Sequence, residues 1–142
     1  MSVVNDVKQG FKNLLDMEVE DIEAENGNTY FRIPLNLKNG PTVDILIIIG
    51  DDKKDVAYRI FSLVEIEDTY KEDELNRLVA NLNAEYRFVK FLVSHEDLSV
   101  EVAMDHCIGP NDVVGETIVA NCVKLFLIAQ DAYPKLMKLV WK

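Results

Sequence analysis

LVANLNAEYRFVKFLVSHEDLSVEVAMD, residues 78–105, changes its apolar rhythm halfway along. Its first part continues a stripe in which Leu75, Leu78, Val79 and Leu82 recur at three- and four-residue steps, the spacing of one helix face. After Asn83 the step shortens. YRFVKFLV reads as a strand, SHED as a four-residue polar turn, and Leu98, Val100, Val102 and Met104 form a period-two face, so a second strand follows. A helix running into a hairpin is the join of an α+β domain with an antiparallel sheet.

The flanks extend the same reading. Thr69 and Glu72 have the spacing of a capping box at the start of that helix. Upstream, VAYRIFSLVEIE is a strand, and TYFRIPLNLKNGPTVDILIIIG is a hairpin turning at Asn39-Gly40, where both residues tolerate positive φ. Phe31, Ile33, Leu35 and Leu37 take one face, with Tyr30, Arg32 and Asn36 on the other. Pro34 has no amide proton and predicts a local edge or bulge. Leu46 and Ile48 make the next strand apolar on both faces, which predicts a central position with both sides at least partly covered.

Val3, Val4, Val7, Phe11, Leu14 and Leu15 predict an amphipathic N-terminal helix capped by Ser2. MEVEDIEAENGN then connects, with room for one short strand. From about Asn111 to Asp131 runs the longest helical pattern, and Pro134 predicts a break before a short final helix. The expected order is α-β-β-β-α-β-β-α plus a tail, with about five strands and flanking helices in a single domain spanning 1–142.

Composition bounds the function. The 142 residues are 49% hydrophobic, ordinary for a globular domain. The longest aliphatic run, Ile45 to Ile49, is strand-sized, and MSVVNDVKQGF lacks the layout of an export signal. A cytoplasmic location is therefore expected, with Cys107 and Cys122 as reduced, buried thiols. A net charge of −10 repels phosphates and argues against nucleic acid or anionic membrane as partners. It suits either solubility or a basic partner.

No catalytic, cofactor or metal motif stands out. His95 sits in the SHED turn and reads as an exposed turn residue. His106-Cys107 offers a base beside a thiol, but neighbouring strand residues point to opposite faces. Asp51, Asp52 and Asp55 lack the ligand alternation and terminal glutamate of a calcium loop. Phosphate-binding glycine loops, G-x-S-x-G, C-x-x-C and H-E-x-x-H are all missing from the sequence.

The long C-terminal helix carries a surplus. Val114, Ile118, Cys122, Leu125 and Ala129 form its main stripe, with Val119 and Phe126 at the margin, and these should cover the sheet. A second row, Ala120, Val123 and Leu127, has no evident use in a two-layer domain. Either another helix packs on it, or it is a subunit or partner contact.

The helix ending in Asn81 and Asn83, the aromatic strand, the acidic turn and the apolar strand ending in Asp105 resemble the YbjN family of small bacterial proteins. The likeness extends from about Phe11 to Asp131 and is sharpest in LNAEYRFVKFLVSHEDLSVEVAMD. The element order also resembles the type III secretion chaperone fold. The resemblance implies a regulatory domain without catalytic activity, often a homodimer. Chaperones of that fold pair through the middle helix; here Glu72, Asp73, Asn76, Arg77 and Asn83 make its outward face polar, a departure from that pattern. The resulting expectation is a non-enzymatic protein-binding or regulatory module acting through apolar surface contacts. The alternatives are a chaperone-like client-binding protein, and a small-molecule sensor or cryptic enzyme with a pocket between sheet and helices.

Overall fold

A computed structural model describes residues 2–142 and builds them around one six-stranded antiparallel sheet. In chain order the elements are α1 (Val3–Leu15), β1 (Asp21–Glu23), β2 (Thr29–Asn36), β3 (Thr42–Ile49), β4 (Asp55–Glu65), α2 (Glu72–Glu85), β5 (Lys90–Val93), β6 (Ser99–Cys107) and α3 (Val114–Trp141). The strands lie in the order β1-β2-β3-β4-β6-β5. The α+β class holds, with the short acidic strand β1 as the sixth.

Alternation along the strands places the core. Phe31 and Ile33, then Ile45, Ile47 and Ile49, then Val56, Tyr58 and Ile60 are all buried, while Arg32, Asp44 and Phe61 between them are exposed. All three helices take part in one layer on the buried face, with α3 touching α1, α2, β3, β4 and β6. Among the described residues no helix lies over the second face, so the coverage expected above Leu46 and Ile48 is absent there and both stay half-buried. Pro34 sits where the expectation put it: β1 pairs only with Thr29–Phe31, so β2 is an edge at Pro34.

Four expectations about helix ends and faces need correction. Thr69–Lys71 forms a 3-10 turn, so α2 begins at Glu72 without a side-chain cap and the Thr69–Glu72 box does not form. The last helix starts at Val114 rather than Asn111, because the Asp112 carboxylate accepts from the Gly109 amide and holds a turn there. Pro134 does not break it. Ala129, Ala132, Leu136 and Leu139, on both sides of the proline, are buried in one core, and that packing outweighs the roughly 3 kcal/mol cost of an internal proline. Leu14 and Leu15 are exposed rather than buried, because α1 meets its neighbour through Val7, Gly10 and Phe11.

Two polar side chains complete the frame. Lys71, only 5% exposed, donates to the main-chain oxygens of Leu139, Val140 and Lys142 at 3.1, 3.3 and 2.8 Å. A cation there satisfies carbonyls that a helix end leaves unpaired and complements its negative dipole end. Asn83 at the end of α2 accepts from the Phe91 amide at 2.6 Å and donates to the Phe91 carbonyl at 3.0 Å. It thereby occupies the open side of edge strand β5 as a strand partner would. Asn83→Ala would strip both bonds; a loss of about 1–2 kcal/mol in denaturant unfolding, with increased aggregation, is the expected result.

One helix contact is made between backbones. α1 crosses the start of α3 where Gly10 faces Gly115: a β-carbon on Gly10 would lie 2.8 Å from the Gly115 oxygen, and one on Gly115 would overlap the Asp6 oxygen. Alanine in an open helix position would gain about 1 kcal/mol over glycine. Here neither backbone can yield without moving a whole helix, and overpacking of that kind costs about 1–3 kcal/mol or more. Gly115→Ala is therefore expected to lower the thermal midpoint by several degrees; an unchanged or raised midpoint would show that the helices are not locked at this crossing.

Candidate functional site

The polar cluster between sheet and helices is built from β4, β6 and α3. Tyr58, fully buried, places its hydroxyl 3.2 Å from His106 Nδ1, and the rings stack with centroids 5.6 Å apart. Asn121 Nδ2 lies 3.4 Å from both Tyr58 Oη and His106 Nδ1. With Tyr58 donating, Nδ1 is the acceptor and the imidazole proton sits on Nε2, which is buried without a hydrogen-bond partner among the described residues. Burial lowers the His106 pKa, opposed by the charge of Asp112, and burial raises the Tyr58 hydroxyl well above the usual phenol range. Both groups are thus neutral near pH 7.

Cys107 lies elsewhere. It is exposed, which corrects the expectation of two buried thiols; only Cys122 is buried, and burial pushes its pKa up to about 12. Cys107 Sγ donates to Asp55 Oδ1 at 2.9 Å, and that bond raises the thiol pKa. His106 and Cys107 therefore turn to different partners on different faces, and neither activates the other. His95 is exposed in its turn. Asp52 accepts from the amides of Lys54 and Asp55 at 2.9 and 3.2 Å, bonds that lower its pKa and shape the β3–β4 turn. Among the described residues no group of three or more His, Cys, Asp or Glu side chains is placed to hold a metal ion. No helix among them is long and apolar enough to cross a membrane.

Two surfaces expose apolar side chains. One is the bare sheet face, where register aligns Arg32, Leu46, Arg59, Ala103 and Lys90 across five strands. Arg59 organises it, reaching Asp105 at 2.7 Å and Glu101 at 3.6 Å. Beside that row β4 bulges, with Phe61, Ser62 and Leu63 opposite Glu101 alone and Ser62 at φ 53°. The bulge leaves Phe61 56% exposed, and Leu92, paired with Glu101 from the other side, is 44% exposed.

The other surface follows α3. Of its predicted second row, Ala120 is exposed, Val123 is half-buried against the core, and Leu127 is 53% exposed. Among the described residues no helix covers the row. Leu127 leads into a groove of about 1000 Å³ that also includes Tyr133, Met137 and Trp141. Sequence reasoning missed this continuation, because it ended the helix near Pro134.

No family model matches the chain, and neither a characterised protein nor a solved structure matches it.

The polar cluster predicts a pH effect. The His106 pKa is lowered in the folded state, so its unfolded chain binds the proton more readily. The stability this group contributes is complete above its ordinary value of about 6.5 and is lost as pH falls below that value and through the lower folded one. The thermal midpoint should drop between pH ~7 and ~5, and His106→Gln should flatten that part of the profile. Parallel profiles for the two proteins would remove His106 as the cause.

Proposed function

We propose that the domain is a non-enzymatic protein-binding or regulatory module of the YbjN type, a cytoplasmic bacterial protein that acts by burying apolar side chains against a second copy or a protein partner. The bare sheet face is the observation that carries this reading. A sheet that packs helices on one side ordinarily turns polar side chains to water on the other. This one sets Leu46, Ile48, Phe61 and Leu92 among charged residues on its open side. Exposed apolar side chains interleaved with charges on an uncovered sheet face resemble the mixed composition of an interaction site.

Charge on this face suits a second copy. Arg32, Arg59 and Lys90 stand among Asp44, Asp55, Glu65, Glu101 and Asp105, a small excess of acid beside the chain's net charge of −10. Two such faces would meet with less of the repulsion that other surfaces would generate, as a two-fold contact requires. The middle helix offers less, because α2 spends Asn83 on β5 and Glu85 on Lys135. A ligand pocket between sheet and helices is also less favoured: Phe31, Ile45, Tyr58 and Leu125 fill that layer.

Sedimentation velocity tests the self-contact. The unmodified chain should run as a concentration-dependent dimer, and Phe61→Asp with Leu92→Asp should shift it to monomer while leaving the unfolding midpoint nearly unchanged, since both side chains are exposed. A monomer at every concentration before mutation would discard the second copy as occupant.

A further inference from the structure

We propose that the groove along the C-terminal half of α3 binds an acidic, amphipathic segment of another protein. Its apolar lining comes from Leu127, Tyr133, Met137 and Trp141, the last 80% exposed. Aromatic rings anchor partners at low entropic cost, and a flexible, polarizable methionine adapts to irregular apolar surfaces. Around them stand Lys38 from the β2–β3 turn and Lys138 and Lys142 from the helix end. The turn is held in place by the bond from the Lys38 amide to Gln130 Oε1, at 2.9 Å.

The charge of the lining reverses that of the chain. Overall there are 15 lysines and arginines against 25 acids, yet the groove has three lysine side chains and one acidic side chain, Asp131. That carboxylate is already engaged, accepting from the Tyr86 hydroxyl and lying 4.0 Å from Lys135. Lys142 reaches Glu74 at 3.3 Å, whereas Lys38 and Lys138 form no ion pair among the described residues. An apolar floor edged by two unpaired ammonium groups fits carboxylates flanking hydrophobic side chains. The net charge of −10 opposes such a partner only at long range. At physiological ionic strength fields fade over about 8 Å, so the local lysines decide.

Trp141 is the only tryptophan, so its emission reports on this groove alone. The probe is a synthetic helix-forming peptide with Leu and Phe on one face and Glu flanking them, titrated at physiological salt beside the same peptide with Gln or Lys in place of Glu. The expected result is a saturable blue shift with the Glu peptide, weaker with Gln and absent with Lys. Lys38→Glu combined with Lys138→Glu should weaken Glu-peptide binding by about five- to tenfold, with the unfolding midpoint unchanged. Equal binding of all three peptides, no saturable shift with the Glu peptide, or a blue shift produced by concentrating the protein alone would overturn the proposal. The bare sheet face is untouched by these variants, so a dimer seen there survives failure here.

Discussion

The contact on which the layered arrangement turns is one between two backbones. Where α1 crosses α3, Gly10 and Gly115 bring main-chain atoms together, and no side chain could enter. That approach seats the N-terminal helix beside α3, on the side of the sheet that α3 already covers. With α1, α2 and α3 committed to a single layer, none is left for the opposite face of the sheet. The bare face is therefore a consequence of how tightly the helices pack together, and its apolar residues stay half-buried or exposed.

Polar side chains that would catch the eye as chemistry mostly serve the backbone. Lys71 closes the end of α3, Asn83 closes the edge at β5, Asp52 shapes a turn, and Arg59 donates to the carbonyls of Tyr58 and Met104 as well as to Asp105. Lys71, Asn83 and Asp52 meet needs created by a helix end, a sheet edge and a turn, where regular hydrogen bonding runs out. The Tyr58–His106–Asn121 cluster differs, since it bonds side chain to side chain beneath α3. Burial holds its tyrosine and histidine neutral, and a neutral network of this kind fixes the orientation of rings in a core.

How much of this was legible depended on how local the cause was. The strands showed in the alternation of Phe31 to Leu37 and Leu98 to Met104, and the α3 stripe showed in Ile118, Cys122, Leu125 and Ala129, because periodicity is written in neighbouring residues. The continuity of α3 through Pro134 was not legible. Whether a proline breaks a helix depends on what packs against its two ends, and that packing comes from distant chain. The role of Lys71 was not legible for the same reason, its partners being some seventy positions away. The row Ala120, Val123 and Leu127 was visible, while the groove that Leu127 opens was hidden by ending the helix too soon. Gly10 and Gly115 gave no signal at all, since a glycine inside a helix looks like a weak point until its neighbour is known.

The surplus of acid then acquires a physical role. A domain that leaves Phe61, Leu92, Leu127 and Trp141 in water is exposed to indiscriminate association. Acids crowd around β1, as Glu18, Glu20, Glu23 and Glu25, while the sheet face mixes both signs and the groove carries lysines. Unselective collisions between copies meet repulsion over most of the surface. Approaches that align two sheet faces, or bring carboxylates to the groove, meet much less of it. Charge distribution thus selects among contacts that apolar burial alone would permit, because burial is non-directional and repulsion between fixed charges is not.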